Sequence, residues 1–207
     1  MPLDLWLSFV AMSASLISIP GPTILTVISH SVKGGRRSYV PLVAAVALGD
    51  LTALVMSFLG LGLLGASKFG LTVITFASGL YLLCLGLKRL LSDTMSANLL
   101  DAPPIRRSRW QLFASTYTIT ASNPKSIAFF VLFLQQFITQ SASVTQQRSI
   151  LSATWVALSV IIITLYVVSA ASAHRLLASP RAQHTLKTVG GLVLSAAGVW
   201  AIVLSLL

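Results

Sequence analysis

Three clusters in this chain place a charge or a helix-breaking residue inside long apolar sequence: Pro20-Gly21-Pro22, Asp50 and Asn123-Pro124-Lys125. Each proline removes a backbone donor and pushes the residue before it out of helical geometry. A helix broken this way exposes amides on one side and carbonyls on the other, and the amide end favours an anion such as a carboxylate. Lys125 adds a positive charge and Asn123 an amide. Asp50 is the only acid within an apolar run, since Asp4, Asp93 and Asp101 flank or link the runs. A charge near a bilayer centre costs about 2.5–3.5 kcal/mol, so a chain that keeps one there uses it. A lone carboxylate in that place can titrate with protons or bind an ammonium group. Each cluster also has a plainer reading: a packing kink for Pro-Gly-Pro, a lysine that snorkels along its stem, and a structural ion pair for Asp50.

The elements that must position these groups are membrane helices. The chain is 56% hydrophobic and 9% charged, with mean hydropathy +0.89, whereas a soluble domain carries about 25% charged residues. Six apolar runs of spanning length occur, at about 5–28, 39–64, 69–88, 112–138, 149–172 and 186–206. None alternates strictly, as barrel strands would. No polar stretch is long enough for a soluble domain, so residues 1–207 form one all-α integral membrane domain. Met1 to Asp4 has no basic region ahead of its apolar run, so no cleaved signal peptide is expected.

The net charge of +10 could suggest nucleic acid, but its placement argues for a membrane instead. Lys33, Arg36, Arg37, Lys88, Arg89, Arg106, Arg107, Arg109, Arg175, Arg181 and Lys187 all fall on the odd connections, and only Lys68 and Arg148 on the even ones. The positive-inside rule then puts the odd connections in the cytoplasm and both termini outside. Asp50 and Lys125 lie roughly 15–20 Å deep from the cytoplasmic ends of their runs, at about 1.5 Å per residue, so they can meet.

The third connection, about 92–109, contains Pro103-Pro104 and reads as a linker between two halves, about 1–91 and 110–207. The halves correspond. Gly79-Leu80-Tyr81-Leu82 with Gly86 matches Gly191-Leu192-Val193-Leu194 with Gly198, and Pro20-Gly21-Pro22-Thr23-Ile24 matches Asn123-Pro124-Lys125-Ser126-Ile127. With three spans per half the second copy runs in the opposite sense. Two inverted three-helix repeats with interrupted helices at matching positions point to the central site of a transporter. The four glycines themselves read as helix-packing positions. Trp6, Trp110, Trp155 and Trp200 read as interfacial belt residues.

Several chemistries are excluded. Cys84 is alone, so disulfides and CxxC redox chemistry are out. His30, His174 and His184 are expected in connections, which leaves no His or Cys metal cluster within a span and no base for a serine nucleophile. One intramembrane aspartate makes no aspartyl dyad. No P-loop is present, so energy comes from an ion gradient or from the substrate's own gradient. Neither an enzyme nor a cofactor is expected.

With Pro-Gly-Pro in the first run, Leu48-Gly49-Asp50 in the second, Asn-Pro-Lys in the fourth and Gln136-Phe137 after it, nearly the whole chain resembles the LysE/RhtB family of amino-acid exporters. Thr23 stands where many members carry Asn, and Gln135 where a Pro-Gln-Phe motif has its proline. The resemblance implies proton-driven export of amino acids or related small metabolites across a bacterial inner membrane. The expected site is Pro20, Gly21, Pro22, Asn123, Pro124 and Lys125 for the substrate, with Asp50 both facing its ammonium group and carrying the proton. The expected partners are an amino acid, protons and the lipid bilayer, with a homo-oligomer left open. Two other classes fit the six-span plan: a metal-cation exporter, which would want several span carboxylates, and a non-transporting scaffold in which Asp50 and Lys125 only fix helix register.

Overall fold

Prolines decide where two of the expected runs stop being helical. The computed structural model describes residues 1–64, 68–91, 108–139, 143–172 and 179–206, and all regular structure among them is helical. The first run divides into α1 (Leu3–Ser18) and α2 (Pro22–Gly34). Ile19, before Pro20, has ψ 115°, and Gly21, before Pro22, has ψ −171°, both extended. The fourth run divides into α5 (Arg109–Ala121) and α6 (Pro124–Leu132), and Asn123, before Pro124, has ψ 106°. Between the two broken segments come α3 (Tyr39–Leu64) and α4 (Lys68–Leu91), and after them α7 (Val144–Val168) and α8 (Pro180–Leu206).

Among the described residues, four helical stretches are long and apolar enough to cross a membrane: Pro22–Gly60, Thr72–Leu91, Val144–Val168 and Arg181–Leu206, with Leu3–Ser18 as a shorter apolar helix. The helices overrun the apolar runs at their ends. α2 continues to Gly34 and stops where Gly35 takes φ 57°, a conformation that favours glycine. His30 is therefore helical rather than in a connection, and so is His184, because α8 starts at Pro180. The expected linker falls mainly on 92–107, which with His174 and Arg175 lies outside the described residues.

α5 starts with a reciprocal cap: Ser108 Oγ accepts from Gln111 N at 3.2 Å, and Ser108 N donates to Gln111 Oε1 at 2.9 Å. Its far end meets α3 closely. A Cβ on Gly49 would stand 2.7 Å from the Thr120 Cβ, so only glycine lets α3 approach here. α4 and α8 pack antiparallel over an equally small surface, Gly79 on Gly198 and Gly86 on Gly191, where an added Cβ would strike the facing backbone. The core is aromatic. Phe9, Phe129, Phe130, Phe133 and Phe137 are buried with Trp155, whose ring centroid lies 4.9 Å from that of Phe129 and 4.7 Å from that of Phe130. A second apolar cluster, Ile24, Leu25, Ile28, Leu42, Val46 and Ile163, ties α2 to α3 and α7.

Candidate functional site

The two helix breaks face each other. In a bilayer the loosened carbonyls at the end of α1 must find donors within the protein. Lys125, one residue into α6, supplies them: its Nζ donates to Leu16 O at 3.1 Å and to Ile19 O at 3.4 Å. Tyr166 of α7 completes the set, donating its hydroxyl to Ser18 O at 2.9 Å. The carbonyl end of the first break is thus closed by side chains from the second half of the chain.

The amide ends of the two breaks are treated differently. Asn123 Oδ1 accepts from Lys125 N at 3.1 Å and so caps α6, while Asn123 Nδ2 reaches Thr23 Oγ1 at 3.3 Å. Gly21, at the equivalent position before α2, has no side chain with which to cap it, and no side-chain cap is present. The amides of Thr23 and Ile24 open the helix without a partner from the break, and both residues line a cavity at this point.

That cavity holds about 30 Å³, room for one or two waters, since a single water needs about 10–15 Å³ of such volume. Gly21, Asp50, Asn123, Lys125, Trp155 and Ser159 are among its walls. Asp50, on α3 and 4% exposed, accepts from Ser159 Oγ at 2.6 Å. The Trp155 indole N–H stands beside the same carboxylate but makes no hydrogen bond of its own. Lys125 is within electrostatic range of Asp50, yet no ion pair joins them; each keeps its own neutral partners. Arg89, at the end of α4, adds a second cation near Lys125. Its guanidinium lies against Gly190, where a Cβ would stand 3.0 Å from Cζ.

Of the expected residues, Gly21, Asp50, Asn123 and Lys125 converge on one cavity, while Pro20, Pro22 and Pro124 shape the breaks without lining it. Trp155 is a correction: at 2% exposed, about midway along α7, it belongs to the core and the cavity wall rather than to an interfacial belt. Trp110, 71% exposed at the start of α5, fits that role better. Ser159 and Tyr166 were not singled out by the sequence, because a lone hydroxyl in an apolar helix bonds its own backbone more often than a distant group. Among the described residues no group of three His, Cys, Asp or Glu side chains could hold a metal ion.

Apolar helices, two of them interrupted beside a buried cavity that carries both charges, are an arrangement that membrane transporters use. Residues 14–205 match the LysE type translocator family, and the chain belongs to it. It is similar to a homoserine/homoserine lactone efflux protein of Salmonella typhimurium, at 26% identity over 80% of each chain. It is also similar to a leucine efflux protein of Enterobacter sp. (strain 638), at 28% identity over 73% of this chain and 72% of the relative. An uncharacterized membrane protein of Vibrio cholerae is 25% identical over 96% of this chain and 97% of its own. No solved structure matches the chain.

Proposed function

We propose that this chain is a secondary exporter of amino acids or related small zwitterions, coupled to protons, in a bacterial inner membrane. The observation that carries this reading is the polarity of the one cavity. An uncapped helix start, an ammonium group and a buried carboxylate are all among the walls of the cavity that Gly21, Asp50 and Lys125 line. A zwitterion satisfies both charges. Its carboxylate docks on the Thr23 and Ile24 amides and on Lys125, and its ammonium group faces Asp50 and Ser159. A simple amine or a simple acid leaves one charge of the site unanswered, at a cost that lipid-embedded protein does not repay. Of the compounds in the relatives' names, homoserine and leucine are zwitterions of this class, while homoserine lactone has no free carboxylate.

A volume of about 30 Å³ is too small for any amino acid, so the arrangement is a closed one and the breaks must part to admit substrate. Lys125 holds α1 to α6 across that joint. A substrate carboxylate competes with the Leu16 and Ile19 carbonyls for it, which links binding to opening. A proton arriving from outside neutralises Asp50 and releases the ammonium group, so the two exchange.

The wider architecture of this reading is six spans in two inverted three-helix halves, about 1–91 and 110–207, joined by a linker at about 92–109, with both termini outside. Its support is the antiparallel meeting of the matched motifs, Gly79 with Gly198 and Gly86 with Gly191, and the meeting of the two breaks at Lys125.

The test is counterflow of labelled amino acids in proteoliposomes carrying the full chain. Wild type is expected to exchange amino acids and to respond to an imposed pH gradient. The Pro20→Ala/Pro22→Ala variant lets α1 run into α2 and buries the free amides, so it is expected to insert but not to transport. Normal exchange by that variant would reduce the break to a kink.

A further inference from the structure

Lys125 lines two cavities, and the second is unlike the first. It holds about 270 Å³ and lies among α1, α4, α6 and α8. Its walls are apolar, with Leu16, Leu82, Phe129, Phe133, Leu194 and Ala197 supplying most of the surface. Among the described residues, Lys125 is its only charged wall residue and the only one it shares with the Asp50 cavity. Two of the three ammonium hydrogens of Lys125 are accounted for by Leu16 O and Ile19 O, which leaves one for a ligand.

The geometry points to this cavity as the side-chain pocket of the transported amino acid, whose side chain is therefore apolar and branched or aromatic. The inference rests on the exporter reading above. The substituents of an amino acid's Cα diverge. With the carboxylate at Lys125 and the ammonium group toward Asp50, the side chain is left on the far side of Lys125, where this cavity lies. An apolar cavity of about 150 Å³ stays dry and accepts benzene, so about 270 Å³ takes a leucine or phenylalanine side chain with space to spare. A lysine or serine side chain would give up its water there with only Ser15 and Lys125 polar among the walls. The rim at Ser15 and Val193 is exposed, so a lipid tail is the competing occupant.

Two variants and two readouts decide the matter. Ala197→Leu pushes a side chain into the cavity, and Leu82→Ala enlarges it. Both are reconstituted as the full chain and assayed for counterflow of labelled leucine, phenylalanine, alanine and lysine. Wild type is expected to move leucine and phenylalanine at least tenfold faster than lysine. Ala197→Leu is expected to lower the leucine-to-alanine rate ratio at least tenfold, and Leu82→Ala to raise the phenylalanine-to-leucine ratio. Native mass spectrometry of the wild type and of Ala197→Leu reports retained phospholipid. Equal transport of leucine and lysine by wild type overturns the pocket while leaving the exporter standing. So does a uniform loss across substrates in both variants, or loss of a retained lipid in Ala197→Leu with selectivity unchanged. Absence of transport for every amino acid overturns the exporter reading and this inference with it.

Discussion

The Lys125 ammonium donates to the Leu16 carbonyl at 3.1 Å across 109 residues of chain. That bond joins the carbonyl end of one broken helix to the first turn of the other, and it places the only charged residue of α6 between two cavities. Lys125 is therefore both a clamp on the fold and a wall of the site.

Replacing Lys125 by Met removes both roles at once. The Ile19 carbonyl loses its side-chain donor and the Leu16 carbonyl one of its two donors, at a cost of order 1–3 kcal/mol. A lower melting temperature in detergent and loss of counterflow are both expected. Lys125→Met with unchanged thermal stability would mean that the α1 carbonyls find other donors.

Asp50→Asn tests the proton role. The amide oxygen still accepts from Ser159, so the melting temperature should stay close to that of wild type. An amide does not titrate, so exchange driven by an imposed pH gradient should disappear. Asp50 and Lys125 share a cavity and lie within electrostatic range without pairing directly, so the stability losses of Asp50→Asn and Lys125→Met should couple only weakly in the double variant, by about 0.5–1 kcal/mol. Thermal melts of the three variants give the coupling. A rescue of stability in the double variant would instead reveal a true ion pair.

Gly49 tests how the site is positioned. A Cβ there meets Thr120 at 2.7 Å and the Ala121 amide at 3.1 Å, both too rigid to give way cheaply. Gly49→Ala should cost about 1–3 kcal/mol by overpacking and should shift Asp50 away from Ser159. Gly60→Ala, on the same helix with nothing within 4 Å of the added carbon, serves as the control and should be neutral or slightly stabilising. Equal melting temperatures for the two variants would contradict the close approach of α3 to α5.

The basic residues on the odd connections predict the orientation, with those connections in the cytoplasm. Cys84 is exposed, so the test uses a Cys84→Ser background. A cysteine placed at Ser96 should resist a membrane-impermeant thiol reagent in intact cells and react after permeabilisation. Ready labelling from outside would invert the orientation.

Where the helices break was legible from Pro20, Pro22 and Pro124 alone, because a missing donor and the steric demand on the preceding residue are local effects. The membrane setting was legible for a similar reason: hydropathy and charge placement need no knowledge of neighbours. The glycines at 79, 86, 191 and 198 could be assigned to packing, but not to each other as partners across α4 and α8. His30 and His184 read as connections because apolar runs end before the helices do; helical geometry continues through polar residues until something such as Gly35 stops it.

The sequence by itself determined which residues could carry charge inside the membrane, since a buried charge or a broken backbone is costly wherever it lies. Only the tertiary structure decided what each group faces. Asp50 was as free to pair with Lys125 as with Ser159. Lys125 instead lies within hydrogen-bond reach of the Leu16 and Ile19 carbonyls at the end of α1, and Asp50 is left to Ser159. Trp155 became a cavity wall and Tyr166 a carbonyl donor for the same reason: partners separated by a hundred residues or more are set by how helices pack, which no local pattern records.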